Sequence, residues 1–453
     1  MTIVTKNKEK RQQPFNQQRL EGFIDRVLND FESINQESKE KFKEKMVRTV
    51  TRKDKIRAAI ITDKLILEAL DNVSREQPDW TFVASRLYLT KLYKEAAYNR
   101  SYDASDKYGS LIGLLKYLGE KNIYSEQILK EYSEEELKLA QSFIDAEKDN
   151  LFTYIALKTL ADRYLAKDLD EKVFELPQER MLIVALAVNS KENKNNRMEI
   201  VKESYWALSN QYMTVATPTW SNAGRTEGQL SSCFIDTFSD DLRGIYDTNT
   251  NAALNSKFSG GIGAYIGKVR SKGSSIRGFK GASNGVISWM KQINNTMVSV
   301  DQLGKRKGSC CVTLDVWHKD FPLFVEARLN NGDERMRTHD LFLSASIPDI
   351  FLEQVRKRGE WYLFDPHEVQ QVMGWSLEDS YDEKKGSGTF RKRYEECIQN
   401  NNLSKVRVKA IDIMKSILKA QLETGAMFIF YRDEVNRMNA NPHAGMIYSS
   451  NLC

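Results

Sequence analysis

The sequence predicts an α/β protein built from a small mixed N-terminal segment, a run of helices, and then a succession of βα units. Three observations predict it. Residues from about 100 to 210 place apolar side chains at three- and four-residue steps, the spacing of helices packed along one face. After about residue 211, short β-rich segments alternate with amphipathic stretches, as strands joined by crossover helices do. At 453 residues, with roughly 150 per domain, the chain has the length of about three domains.

The elements follow in order. Residues 3–6 read as a short β-like segment, and 19–31 and 58–72 as helices. Pro78-Asp79-Trp80 interrupts the pattern ahead of a further helix over 82–98. Segments 111–118, 134–143 and 182–188 carry the helical period through the middle of the chain. LSSCFI (230–235) reads as a buried strand, and Ser239-Asp240-Asp241 as an N-cap with acidic first-turn residues opening a helix. Ile411, Met414, Leu418 and Leu422 mark one helix face, Gly425 stands where a C′ residue would, and MFIFY (427–431) follows as a strand. MIYSSNLC at the end reads as one more strand that stops partway, so the βα pattern is expected to be incomplete. The chain shows neither an internal repeat nor a low-complexity tract.

Composition excludes several classes. Charged residues are 28% and hydrophobic ones 41%, with Pro 8 and Gly 24, which is not the make-up of a disordered, collagenous or disulfide-stapled chain. A net charge of +5 over this length is too dilute to imply nucleic-acid binding. The longest apolar run, MLIVALAV (181–188), is far short of the ~20 residues that span a bilayer, and the start has no secretory apolar core. Neither a nucleic acid nor a membrane is expected as a partner. Five cysteines (Cys233, Cys310, Cys311, Cys397, Cys453) form no CxxC pair, so a zinc cage is not expected and a reducing cytoplasm is. The four histidines fit no metal-ligand spacing.

Several residues are candidates for chemistry. Gly260-Gly261-Ile262-Gly263 reads either as a tight turn between β and α elements or as a place where a ligand approaches backbone closely; it is neither a P-loop nor GxGxxG. Lys268, Arg270, Lys272 and Arg277 form one basic cluster, and Lys305-Arg306-Lys307 between glycines a second. Each fits a solvated charge run or a loop that closes on phosphate, and Asp240 upstream adds a group able to read a base or ribose. Cys233, in an apolar setting, reads first as a buried structural cysteine, and Cys310-Cys311 as core.

The motifs ATPTWSNAGR (216–225), QLSSCFI (229–235), SGGIGAYIGKVRSKGSSIRG (259–278) and the terminal SSNLC (449–453) resemble, in order and spacing, the large catalytic α subunit of class I ribonucleotide reductase. VWHKDFPLFVEARLNN (316–331) and WYLFDPHEV (361–369) resemble later segments of the same barrel. The resemblance implies an ATP-cone over 1–95, a helical domain over 96–210, and the first half of a ten-stranded α/β barrel over 211–453. It implies reduction of the 2′-OH of ribonucleoside diphosphates by a thiyl radical. Cys453 matches the thiol that becomes the radical, Cys233 one of the two reducing cysteines, and Asn451 the amide that bonds the sugar hydroxyls. Thr217, Ser232, Gly260 and Gly261 match substrate contacts. Asp240, Arg270 and Arg277 match the specificity effector site at the dimer interface, with Gln302 and Arg306 in the loop that relays effector identity. On this likeness, both basic clusters read as nucleotide contacts.

In the cone-like segment Lys6, Asn16, Arg19 and Lys94 match nucleotide contacts. Ala58 and Thr62 stand where the family leads one to expect Thr and His, and Gln13 where an acid is expected, so the activity switch is expected to be weakened or lost. The family also has a Glu two residues past the radical cysteine, acting as a base on the 3′-OH. With Cys453 last, an N-terminal piece is expected, whether from a split gene, an inserted element such as an intein, or truncation. The implied partners are the C-terminal half of α, a radical-generating β subunit, a second α, and thioredoxin or glutaredoxin. The implied ligands are ATP and dNTP effectors, with the radical cofactor in β and no metal in this chain. The competing readings are a non-catalytic nucleotide-binding regulator and a cobalamin-dependent reductase.

Overall fold

The computed structural model describes residues 2–5, 12–301 and 307–451. The chain divides into two compact units, 1–230 and 231–453.

The first unit opens with a three-stranded sheet. β1 (Ile3–Thr5) lies between β2 (Gln12–Pro14), antiparallel to it, and β3 (Lys55–Arg57), parallel to it. Helices Gln17–Leu28 and Gln36–Thr51 begin where the Asn16 and Asn35 side chains accept from the amides of Arg19 and Ser38. Helix Ala58–Asp71 follows, and then Trp80–Arg100, whose first residue is buried against Phe42 with ring centroids 5.0 Å apart. This last helix is two residues longer at each end than its apolar spacing predicts, because Ser101 at φ 59° ends it. Val83, Ala84 and Leu87 pack into the N-terminal core, whereas Leu89, Leu92 and Ala96 pack into the helical core that follows. One rod of about 30 Å therefore serves both.

The helical core surrounds Pro177–Val188, in which every residue from Pro177 to Leu186 is buried. The apolar run of the sequence is thus the C-terminal part of a central helix. Among the described residues no helix is long and apolar enough to cross a membrane. The charges this helix carries inward have partners. Arg100 donates to Glu179 at 2.7 Å, and Arg180 donates to the Tyr124 hydroxyl at 3.0 Å and the Ala223 carbonyl at 2.6 Å, with Glu175 at 3.5 Å. Asp149 accepts from Tyr93, from Tyr108 at 2.7 Å and from Gln178 at 2.8 Å; burial still pushes its carboxyl up to about 6.

The second unit is a βα succession. β4 (Cys233–Thr237), β5 (Gly261–Tyr265), β6 (Cys310–Asp315), β7 (Phe342–Ile347) and β10 (Phe428–Tyr431) form one parallel sheet in the order β10-β7-β6-β5-β4. β8 (Glu360–Leu363) and β9 (Val406–Lys409) pair antiparallel with each other and stay outside that sheet, so the WYLF segment is a side hairpin. Helices Leu242–Lys257, Val286–Ser299 and Ala410–Thr424 make the longer crossovers. Alternate residues Ile262, Ala264, Cys310, Val312, Leu314, Leu343, Ala345 and Ile347 face the helices and form the core. The other face carries Gly261, Gly263, Tyr265, Cys311, Thr313, Asp315, Ser344 and Ser346, which share a side by register. Helices cover one face of this sheet; the second is small and polar.

Two local readings are corrected. Helix Ala410–Thr424 buries Ala410, Ile413, Ile417 and Ala420, whereas Leu418 and Leu422 are exposed. The two stripes lie about 100° apart on one helix, and spacing alone does not say which meets the core. The helix after β4 is capped by Asp241, which accepts from Gly244 N, and starts at Leu242; Asp240 turns aside to an arginine.

Candidate active site and effector sites

Two of the three candidate catalytic residues, Cys233 and Asn451, meet on the polar face, at the β4 and β5 strands. Cys233 is the first residue of β4 and pairs in register with Gly261. It is exposed, which corrects the expectation of a buried structural cysteine within a strand; β4 is an edge strand and starts at this residue. Cys310 and Cys311 are buried as expected, and burial pushes the Cys311 thiol up to about 12. The Ser232 hydroxyl lies 3.0 Å from the Cys233 sulfur, and the Ser232 carbonyl accepts from Gly261 N at 2.6 Å.

The glycine run supplies close approach. A side chain at Gly260 would bring a Cβ within 2.7 Å of the Phe234 ring, and one at Gly263 would run into the carbonyl of Ser450. The segment before the described C-terminal end therefore lies directly on β5, which only a glycine allows. Resting there, the Asn451 side chain donates to the Gly261 carbonyl at 3.2 Å. Cys233 and Asn451 thus address the same residue, one through register and one through a hydrogen bond. The glycine run is strand β5 rather than a tight turn between β and α elements, and the close approach at Gly263 is made by the chain's own backbone at Ser450.

Thr217 belongs to the first unit, at the start of helix Thr217–Asn222, with its hydroxyl 3.2 Å from that of Tyr164. Lys6, Gln302, Arg306 and Cys453 lie outside the described residues.

Of the candidate effector residues, Asp240 and Arg270 are together. Arg270 Nε donates to Asp240 at 2.8 Å, its backbone amide donates to the same carboxylate at 3.0 Å, and a second guanidinium nitrogen is 2.7 Å away. Arg270 also donates to the Ser275 carbonyl at 2.7 Å, and His367 Nδ1 is 3.4 Å from Asp240. Arg277 is exposed in the following loop at φ 50°.

Asn16, Arg19 and Lys94 line one cavity of about 480 Å³ in the N-terminal part. Phe15, Phe23 and Ile61 give it an apolar wall, and Arg26 adds a third cation. Gln13, Ala58 and Thr62, the three departures from the family pattern, line the same cavity. Desolvation, and then the nearness of Arg19 and Arg26, hold the Lys94 amine below its ordinary range. Among the described residues no group of His, Cys, Asp and Glu is arranged to hold a metal ion.

Comparison with known proteins places the chain in a family. Residues 231–453 match the ribonucleotide reductase barrel domain, and 150–228 match the ribonucleotide reductase all-alpha domain. The chain is 42% identical over 391 residues to the ribonucleoside-diphosphate reductase subunit alpha of Treponema pallidum, covering 86% of this chain and 45% of that protein. It is 39% identical over 402 residues to the same subunit of Helicobacter pylori strain 26695 (88% and 48%), and 34% identical over 400 residues to the large subunit of Monkeypox virus (86% and 48%). The chain spans about half the length of these relatives.

Proposed function

The chain belongs to the ribonucleotide reductase large-subunit family, and from that premise we propose that it supplies the substrate-reducing part of a ribonucleoside-diphosphate reductase α subunit. The observation that carries the reading is the convergence of Cys233 and Asn451 on Gly261. In the proposed reaction a thiyl radical at Cys453 takes the 3′-hydrogen of the ribose. Cys233 and a second thiol then give two electrons and two protons. The 2′-hydroxyl leaves as water, the two thiols become a disulfide, and the 3′-hydrogen returns. Asn451 would hold the sugar hydroxyls, and Thr217, Ser232, Gly260 and Gly261 would line the substrate. A β subunit supplies the radical when bound, and thioredoxin or glutaredoxin would reduce the disulfide.

Two surfaces favour the proposed partners. β4 and β10 are both edge strands of the described sheet, and Ile235, Phe428 and Tyr431 are exposed along them, as expected if more strands complete the barrel. Helices Leu242–Lys257 and Val286–Ser299 expose Leu242, Tyr246, Leu254 and Val298, an apolar face suited to a second α. Asp240, Arg270 and Arg277 would take the specificity effector, with Gln302 and Arg306 relaying its identity. The residue 1–95 segment would act as an ATP-cone, taking ATP or dATP through Lys6, Asn16, Arg19 and Lys94, its switch weakened at Gln13, Ala58 and Thr62.

The test is turnover by the complete α chain containing these residues, mixed with a radical-generating β subunit and a dithiol reductant. Deoxynucleoside diphosphate should form, and Cys233→Ser should lower kcat by at least 1000-fold without loss of nucleotide binding. Nucleotide binding with no product from the unaltered chain would favour the regulatory reading instead.

A further inference from the structure

The segment from Met446 to Asn451 is held at almost every residue, and no known role of the chain accounts for the groups that hold it. Asn436 clamps the backbone of Ile447 at both polar atoms: its Oδ1 accepts from Ile447 N at 2.7 Å and its Nδ2 donates to Ile447 O at 3.0 Å. Asn436 is itself buried, and the same Nδ2 donates to Arg432 O at 2.9 Å. At the next residue the Tyr448 ring packs on Tyr265 with centroids 5.1 Å apart, and the Lys268 amine lies over the Tyr448 ring at 5.0 Å. The Tyr448 hydroxyl donates to Asp379 at 2.7 Å, and Lys268 holds that carboxylate at 2.8 Å.

The footing of this arrangement is rigid. Tyr265 is fully buried and donates to Asp315, whose other oxygen takes Arg432 at 2.7 Å. Arg432 is buried as well, and donates to the Ser380 carbonyl at 2.9 Å and to the carbonyl of Glu378. Beyond the clamp, Ser450 crosses Gly263 and Asn451 reaches Gly261. The height of Asn451 above β5 is thus set three and four residues upstream, at Tyr448 and Ile447.

We infer that Asn436 and Tyr448 are positioning residues for Asn451, forming a rail that fixes the last described segment over the glycine strand. The inference rests on the reductase reading for its catalytic consequence, but the rail itself is a property of this chain. Placement errors near 1 Å cost on the order of 100-fold in rate, so loss of the rail should appear in kcat.

The experiment uses the complete α chain with its β partner. Tyr448→Ala and Asn436→Ala should each lower kcat about 100-fold while leaving KM near the unaltered value, and Asn436→Ala should also lower the melting temperature because Ile447 loses its buried partner. Tyr448→Phe keeps both ring contacts and should restore kcat to within about fivefold. Equal losses in Tyr448→Phe and Tyr448→Ala, or unchanged kcat in both alanine variants, would overturn the inference. Amide hydrogen exchange decides the rail separately from turnover. Exchange at Ile447 N should quicken about 100-fold in Asn436→Ala, and an unchanged rate there refutes the clamp even if the enzyme is active. A wild-type chain that makes no product but shows this protection keeps the rail and removes the reductase reading.

Discussion

The cations around the first helix and those near residue 270 look alike in sequence, as basic residues beside a glycine or a turn. They are treated differently by the fold. Arg19, Arg26 and Lys94 share a cavity that no carboxylate lines among the described residues, and burial, then the nearness of Arg19 and Arg26, lowers proton affinity at Lys94. Arg270 is neutralised by Asp240 and tied to a backbone carbonyl. A third set, Arg100 and Arg180 in the helical core, is buried, Arg100 against Glu179 and Arg180 against Glu175 and the Ala223 carbonyl. Uncompensated cations around an apolar cavity store repulsion that an anion relieves. Compensated ones hold chain segments in register.

The largest test of this contrast lies in the buried set. Arg180→Leu leaves Glu175 buried without its cation and should destabilise the fold by about 3–5 kcal/mol in thermal unfolding; a change under ~1 kcal/mol would mean the pair is not structural. Asp149 offers a pH handle on the same core. Its folded-state carboxyl titrates near 6 against 3.8 in the open chain, so the folded state holds the proton more tightly. Its contribution to stability is therefore full below about 4 and is lost as pH rises through about 6. Asp149→Asn should flatten that part of the stability profile, measured by denaturant midpoints from pH 4 to 7.

In the uncompensated set, Lys94→Ala should cost about tenfold in ATP or dATP affinity by calorimetry, on the order of 1.4 kcal/mol, with no loss of melting temperature because repulsion is relieved. Affinity that stays level would take the nucleotide out of this cavity. Saturating dATP is expected to leave much of the activity of the reconstituted enzyme in place; full shutdown would show that Gln13, Ala58 and Thr62 do not impair the switch. The smallest effect belongs to the neutralised pair. Asp240→Asn should cost up to about 1 kcal/mol of stability, since the pair is partly exposed. Arg277→Ala should weaken dNTP effector binding about threefold to fivefold while leaving stability alone.

Much of the architecture was legible in the chain. Helical spacing located the helices of the middle region to within a few residues, because one buried stripe per helix leaves a period in the sequence. The βα texture after 211 located β4 and β10 for the same reason. Periodicity failed where two adjacent stripes of helix Ala410–Thr424 were both apolar, and at Cys233, whose exposure depends on β4 being an edge. The WYLF segment lies within the barrel-domain match but forms a side hairpin with β9, in pairs that run from Leu363–Val406 to Glu360–Lys409, a partnership across dozens of residues that no local pattern encodes.

What the sequence determined by itself was most of the helices, the family, and the identities of the thiol, the amide and the glycines, since these depend on residue type and local order; the strand expected over 446–453 is irregular chain over 446–451. Only the tertiary structure decided which polar groups meet. That Asn451 lands on Gly261, 190 residues earlier, that Arg432 reaches Asp315, and that Asp240 neutralises Arg270 while no carboxylate among the described residues lines the cavity of Arg19 and Lys94 are outcomes of packing. Hydrogen bonds and ion pairs act over about 3 Å, and only the closed fold brings residues so distant in sequence within that range.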